Sequence, residues 1–318
     1  MSGVPTAAVV GGGALGLIYA SALAHPDSSA LLVTRRPALV DAIADGGVRV
    51  ELEGSPLRPE AGALVAALPE DAGAPGRRDV VLVLARSFES DSAVAAAESL
   101  AGAHGVVVML QNGLTGWDFA RRATSANISG GSYIAAWTSK DGEVVCKRVG
   151  PTILPAKGHG ARPAHVEAIR AVFARGRLPL ETAGSEGDVV WRKVGVTAVT
   201  WLCGALGLPV DLVRASDSWE RAVSPVLHEI AAVARAEGAT VEAAEIVTAL
   251  GAIQTPPGST GSAYASLERG GRLEVVEVCE SVVRRGDAAG VAVPLTRLVG
   301  SLARIQEQTF PRLPRVPR

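Results

Sequence analysis

Thr6-Ala-Ala-Val-Val10-Gly11-Gly12-Gly13-Ala14-Leu15-Gly16 sets the architecture of this chain. A short apolar run ends in glycines and passes directly into the small-residue segment Ala14 to Leu23, which is the order of a strand, a tight turn and a helix. The glycines follow Gly-x-Gly-x-x-Gly, and each has its own task. Gly11 permits the turn, Gly13 lets backbone approach a pyrophosphate, and Gly16 lets helix and strand pack closely. The helix start then offers unpaired N–H groups and the positive end of its dipole to phosphate. Gly-rich turns are common in a chain with 36 glycines; the position between a strand and a helix makes this one specific. Gly11, Gly12, Gly13, Ala14, Leu15 and Gly16 are therefore expected to cradle a dinucleotide.

Outward from this loop the same rhythm continues. Ala30 to Val33 reads as a second strand, Pro37 opens a helix to about Ala44, and Val48 to Leu52 alternates as a strand does. After a Gly/Pro/Ala-rich loop, Asp79 to Ala85 is apolar on both faces, as in a buried parallel strand. A helix over Ser90 to Leu100 and a strand over Val106 to Leu110 follow. Past residue 160 the pattern changes. An amphipathic helix over Ala164 to Arg175 and an extended piece over Leu178 to Thr182 lead into almost wholly helical patterns from Gly187. These cover Val189 to Leu206, Ser216 to Glu237, Val241 to Leu250, Ser262 to Glu268, Leu273 to Ala289 and Pro294 to Gln308. The expected fold class is α/β: a doubly wound Rossmann domain over 1–184 and an all-helical C-terminal domain over 185–318.

Bulk properties narrow the partners. The 318 residues carry 31 Lys and Arg against 32 Asp and Glu, so nothing favours nucleic acid, and a small-molecule partner is expected. Cys146, Cys203 and Cys279 are far apart and without metal-ligand spacing, so no metal is expected and the thiols read as small buried hydrophobes. The N-terminus lacks a basic region followed by an apolar core, and the apolar stretch Val194 to Val210 contains three Gly, two Thr and a Pro. It reads as a buried core helix rather than a bilayer span of ~20 residues. No membrane is expected, and the location is expected to be cytoplasmic.

Cofactor choice is read where the second strand ends, at Val33-Thr34-Arg35-Arg36. A carboxylate there suits the ribose 2′-hydroxyl of NAD, whereas arginine suits a 2′-phosphate through charge-assisted bonds. With two guanidinium groups and no carboxylate in this segment, NADP(H) is expected, held by Arg35.

Four segments together resemble the ketopantoate reductases (2-dehydropantoate 2-reductases) over nearly the whole chain. They are the Gly11–Gly16 loop with Arg35; Asp79-Val-Val-Leu-Val-Leu-Ala-Arg86-Ser87-Phe88; Gln111-Asn112-Gly113; and Trp191-Arg-Lys193 together with Gly271-Arg-Leu-Glu274. The resemblance implies an NADP-dependent oxidoreductase acting on a C=O or CH–OH group, with substrate between the domains. It implies that Lys193 is the general acid and that Glu274 contacts both substrate and cofactor. Asn112 then lies near nicotinamide and substrate, Ser262 holds the substrate carboxylate, Arg86 holds an anionic group, and Ala136 offers a backbone contact to the cofactor. The chemistry of Lys193 also stands alone: hydride delivery to a ketone builds negative charge on oxygen, which a cation with a proton to give stabilises. Plain structural alternatives exist for Glu274 as a helix N-terminal carboxylate, for Ser262 as a helix N-cap, and for Asn112 as a turn residue.

The departures concern the substrate. Where the family has asparagines four and eight residues after the lysine, this chain has Thr197 and Trp201, which share a helix face with Lys193. The family lysine after the third strand is Arg86, and a Gln-Asp pair after the serine motif is Ala265-Ser266. Losing amides that pair substrate hydroxyls changes selectivity strongly. The expected substrate is a 2-oxo acid, ketopantoate-like or bulkier and more apolar. Two alternatives remain open: an imine or ketimine reductase on the same scaffold, and a non-catalytic NADP(H)-binding sensor. The C-terminal helix from Pro294 has two readings, packing on its own domain or on a second copy in a homodimer.

Overall fold

The computed structural model describes residues 4–73, 78–123, 125–138, 143–252, 266–267 and 271–309, the side chains of 147, 199, 251 and 252 aside. The chain divides into two compact units. The first comprises Met1–Gln111 and Thr115–Val189, the second Asn112–Leu114 and Val190–Arg318.

The first unit is built on a six-stranded parallel sheet. Its strands lie side by side in the order Leu64–Ala67, Ala30–Val33, Ala7–Val10, Val80–Val83, Val106–Met109 and Asn127–Ser129. The register runs Val33 beside Val10 beside Val83 beside Met109. Side chains alternate between two cores, as the pleat requires. Ala7, Val9, Leu32, Leu82 and Val108 face one, with helices Ala14–Leu23 and Pro163–Gly176; Ala8, Val10, Leu31, Val81 and Val107 face the other, with helix Ser90–Ala101. Both faces are covered, so these strands read as continuous apolar runs.

Helix Ala14–Leu23 is apolar around its whole circumference because it is covered on both sides. It packs on the parallel sheet and also on a four-stranded sheet of Ala135–Thr138, Val144–Arg148, Val50–Leu52 and Ser55–Pro56. The hydroxyl of its fully buried Tyr19 donates to Ser132 Oγ at 2.9 Å and lies 2.5 Å from Thr152 Oγ1, which keeps the buried oxygen satisfied. Burial pushes the phenol up to about 12.

Two features differ from the sequence expectation here. The Gly/Pro/Ala-rich loop contains the edge strand Leu64–Ala67, whose partly exposed, alanine-rich residues carry no alternation to announce it. The helix expected from Val189 starts at Glu186. A capping box sets that start: Ser185 N and Oγ donate to Asp188 Oδ2 at 2.9 and 2.7 Å, and Asp188 N donates to Ser185 Oγ at 3.2 Å. Glu186, buried, accepts Ser129 N–H at 2.6 Å, and burial raises its carboxyl above the ordinary range. The helix Glu186–Leu206 is long and apolar enough by composition to cross a membrane. Its apolar side chains Val189, Trp191, Val194, Trp201 and Cys203 are all buried in the fold, as in a core helix.

The described part of the second unit is helical. The helix expected over Ser216 to Glu237 is present as Trp219–Ala236, and a short helix the sequence reading did not name, Val210–Arg214, precedes it across a turn in which Trp219 N donates to Ser216 O. Helices Glu274–Ala289 and Pro294–Thr309 approach so closely that a Cβ on Gly300 would stand 2.8 Å from Cys279 Cβ. Glu229, on helix Trp219–Ala236, caps the last helix by accepting from Leu295 N, Thr296 N and Thr296 Oγ1 at 2.9, 2.7 and 2.7 Å.

Glu229→Ala removes three charge-assisted bonds from that helix end and is expected to lower stability by about 1–2 kcal/mol. The denaturant midpoint of the variant against wild type measures it, and an unchanged midpoint would rule the cap out as a stabilising element.

Candidate functional site

In the first unit the glycine loop lies at the carboxyl end of the central strand. Gly11 has φ +126°, and a Cβ on it would sit 2.6 Å from Ala85 N. A Cβ on Gly16 would overlap Gly11 O, so helix and strand meet here without room for a methyl group. Gly13 differs: it is exposed, and nothing lies within 4 Å of a Cβ placed there. The first intrahelical bond is Leu17 N to Gly13 O at 2.9 Å, and no side chain caps the helix start. The first-turn N–H groups of Ala14, Leu15 and Gly16 therefore end on an open glycine surface, the arrangement that takes a phosphate. These residues fit a dinucleotide pyrophosphate.

The strand Ala30–Val33 delivers Arg35 and Arg36 beside the loop. Arg36 Nη2 donates to Gly12 O, and Arg35 Nη2 is ion-paired with Glu89 Oε1. Glu89 is the site residue that the sequence leaves unannounced. It lies 54 positions beyond Arg35, on the short 3₁₀ turn Ser87–Glu89, and no local motif links the two. Strand order brings them together, because Ala30–Val33 and Val80–Val83 flank the central strand on opposite sides.

Arg86 is half-buried at the start of that turn. Gln111 is not a lining residue but a brace. Buried at the end of Val106–Met109, it donates through Nε2 to Ala85 O, Arg86 O and Ser90 Oγ at 3.0, 3.2 and 3.0 Å, which fixes the turn carrying Arg86 and Glu89. Ala136 sits on the strand Ala135–Thr138 opposite Cys146, half-buried in the sheet packed on helix Ala14–Leu23.

In the second unit the structure brings together Asn112, Glu274 and Lys193. Glu274 is the first residue of its helix, where the dipole favours an anion. Asn112 Nδ2 donates to Glu274 Oε2 at 3.2 Å. Gly113 makes that approach feasible: its φ is +80°, and a Cβ there would stand 2.7 Å from Val278 Cγ2 on the same helix. Lys193 is half-buried on helix Glu186–Leu206, and burial brings its ammonium from the ordinary 10.5 down to about 8, with the charge of Glu274 opposing the drop.

Thr197 and Trp201 follow Lys193 at one-turn spacing on this helix. The Thr197 hydroxyl donates to Val194 O at 2.8 Å, which commits its proton to the backbone. The Trp201 ring is fully buried. Ser262 and Ala265 lie outside the described residues, whereas Ser266 is described and buried.

Loop, sheet and helical unit together define an oxidoreductase of Rossmann type with a separate helical domain. The chain belongs to the ketopantoate reductase family: residues 7–158 match the model described as Ketopantoate reductase PanE/ApbA, and residues 188–307 its C-terminal counterpart. It is 26% identical to the 2-dehydropantoate 2-reductase of Halobacterium salinarum over 310 residues, covering 94% of this chain and 98% of that protein. The crystal structure of a PanE/ApbA family ketopantoate reductase from Ralstonia eutropha JMP134 superposes with a TM-score of 0.80 at 28% identity, covering 96% of this chain and 99% of that one. A D-mandelate dehydrogenase solved with NADH and anilino(oxo)acetate shares the fold, with a TM-score of 0.85 at 18% identity over 96% of this chain and 99% of that one.

The amine of Lys193 is expected to titrate near 8 when followed by NMR of the isotopically labelled, dimethylated side chain. Glu274→Gln removes the charge that holds this value up, so the midpoint should move to lower pH. A midpoint that stays put, or rises, would show that the two groups do not interact.

Proposed function

We propose that this chain is an NADPH-dependent reductase that converts the carbonyl of a 2-oxo acid to the hydroxyl. The substrate is ketopantoate or a bulkier, more apolar analogue. The reading rests above all on Lys193: an ammonium brought to about 8 by burial, beside Glu274, which Asn112 holds in turn. A general acid works best with a pKa near the operating pH, and positioned proton transfer typically contributes ~10²–10⁴ in rate.

The roles follow from the chemistry of each group. The open Gly13 surface and the helix start hold the pyrophosphate, and Arg35 takes the 2′-phosphate. When bound, the nicotinamide supplies the hydride. Lys193 hydrogen-bonds the carbonyl oxygen and gives it a proton as charge builds there; the neutral amine left behind recovers a proton from solvent. Glu274 keeps the lysine charged at neutral pH, Asn112 orients Glu274, and Arg86 and Ser262 take the substrate carboxylate. Thr197 and Trp201 stand where amides would bind substrate hydroxyls, which supports a substrate with an apolar body. The cytoplasm, which holds the reduced cofactor, is the matching compartment, and three buried free thiols suit it.

A second copy of the chain is the proposed macromolecular partner. Leu295, Leu298, Leu302 and Ile305 are exposed at three- and four-residue spacing along the last helix, as in a helix–helix seam. Arg297 and Arg304 on the same helix are neutralised by Asp287 and Glu280. Exposed Leu206 and Leu208, which flank Gly207 against Gln306, extend the apolar row.

Following NADPH oxidation against a panel of 2-oxo acids tests the activity, with Lys193→Ala beside wild type. Loss of at least ~10²-fold in turnover with NADPH binding retained is expected; equal turnover by the variant would exclude the assigned role. Wild-type turnover should fall as pH rises through about 8, because the ammonium is the competent form. Sedimentation should give a dimer for wild type and a monomer for Leu298→Glu/Ile305→Glu, whereas a wild-type monomer at micromolar concentration would refute the proposed seam.

A further inference from the structure

The ion pair between Arg35 and Glu89 stands over the nucleotide loop. Arg35 lies two residues past Val33, and Glu89 lies on the turn that follows Val83; Val33 and Val83 flank Val10 in register, one strand away on each side. Adjacent strands are ~4.8 Å apart, so the pair closes a gap of about 10 Å across the end of the central strand, where Gly11 begins the loop. Ligands of open α/β sheets bind at this carboxyl edge. The neighbouring guanidinium of Arg36 is already committed to Gly12 O.

We propose that Glu89 sets the balance between NADPH and NADH by competing for the guanidinium of Arg35. The inference rests on the reading that Gly11–Gly16 holds a nicotinamide dinucleotide. A 2′-phosphate and the Glu89 carboxylate seek the same Arg35 donors, and the two anions repel one another across them. A free 2′-hydroxyl carries no charge and meets no such conflict, so NADH binding depends little on whether Arg35 is held by Glu89. Arginine and carboxylate together thus form a reader for both cofactors, and the carboxylate tempers the preference that Arg35 alone would impose. Glu89 is a positioning residue in this scheme, acting through Arg35.

The turn that carries Glu89 does not depend on its carboxylate. Gln111 holds the turn through Ala85 O, Arg86 O and Ser90 Oγ, Glu89 N donates to Arg86 O at 2.9 Å, and Ser92 Oγ donates to Glu89 O at 3.1 Å. Replacing the carboxylate therefore changes charge while the backbone stays fixed.

The test is the dissociation constant of each cofactor for the full apo chain, read by fluorescence titration at low and moderate salt. The proteins are wild type, Glu89→Gln, Glu89→Asp, Arg35→Ala and the Arg35→Ala/Glu89→Gln double variant. The pair is solvent-exposed and such pairs are individually weak, so Glu89→Gln is expected to tighten NADPH about three- to tenfold while NADH is unchanged or weakened. Glu89→Asp should keep the wild-type ratio. In the Arg35→Ala background, Glu89→Gln should move the ratio by less than it does in wild type, since the competition for the guanidinium is gone. A ratio of the two constants unmoved by Glu89→Gln overturns the role of Glu89 and leaves the dinucleotide site standing. If wild type binds neither cofactor at millimolar concentration, the dinucleotide site itself is overturned, and this inference with it.

Discussion

A steric limit at Gly16 governs the first unit. Because a Cβ there would overlap Gly11 O, helix Ala14–Leu23 lies directly on the end of strand Ala7–Val10, and its first N–H groups remain at the sheet edge. Two consequences follow. The helix is covered by sheets on both sides, so its sequence has no polar face and the buried hydroxyl of Tyr19 needs the oxygens of Ser132 and Thr152. The loop lies between the ends of the two flanking strands, so residues that follow those strands, 54 positions apart in the chain, become neighbours across it. Charge recognition at this edge is thus a product of strand order.

The second unit sets a different balance, around the proton affinity of Lys193. An apolar surround alone would drive Lys193 well down; an intimate ion pair would hold it near the ordinary 10.5 and leave a poor acid. The value of about 8 is the compromise between burial and the charge of Glu274. Asn112 moderates that charge by donating to Glu274, and it can do so because Gly113 accepts a left-handed φ and a close approach to Val278. One Asn-Gly turn therefore connects backbone conformation to proton affinity.

Much of this was legible in the sequence. The loop and the buried strands announce themselves because each must satisfy two constraints at once: glycine where backbone meets backbone, and unbroken apolar runs where both faces are covered. The capping box Ser185-Glu-Gly-Asp188 was present to be read as the start of a helix, yet the apolar pattern beginning at Val189 drew the boundary later. The edge strand Leu64–Ala67 was hidden because a partly exposed edge makes few demands on side chains. Glu89 was hidden for a deeper reason. Its significance depends on which strands flank the central one, and a segment ending in Arg35-Arg36 gives no sign that a carboxylate arrives from elsewhere. Cofactor preference read from one strand end omits half of the charges that decide it.

Selectivity for the other ligand has a comparable logic. A site that pairs a substrate hydroxyl rejects analogues lacking it by ~10⁴–10⁵, because its own buried polar groups are then left unpaired; an apolar wall separates substrates one methylene apart by only ~10–200-fold. On the helix face of Lys193 this chain carries a hydroxyl whose proton is committed to Val194 O and a fully buried indole ring. The hydroxyl of Thr197 leaves no donor stranded when a substrate hydroxyl is missing. If this face meets the substrate as proposed, discrimination on it rests on shape rather than hydrogen-bond readout and is graded across apolar substrates rather than all-or-none. The carbonyl and carboxylate, which every 2-oxo acid shares, remain the features that a charged lysine and an arginine can recognise. In the proposed reaction the proton donor and the anion contact would set the reaction class, while the replaced amides would determine how many members of that class are accepted.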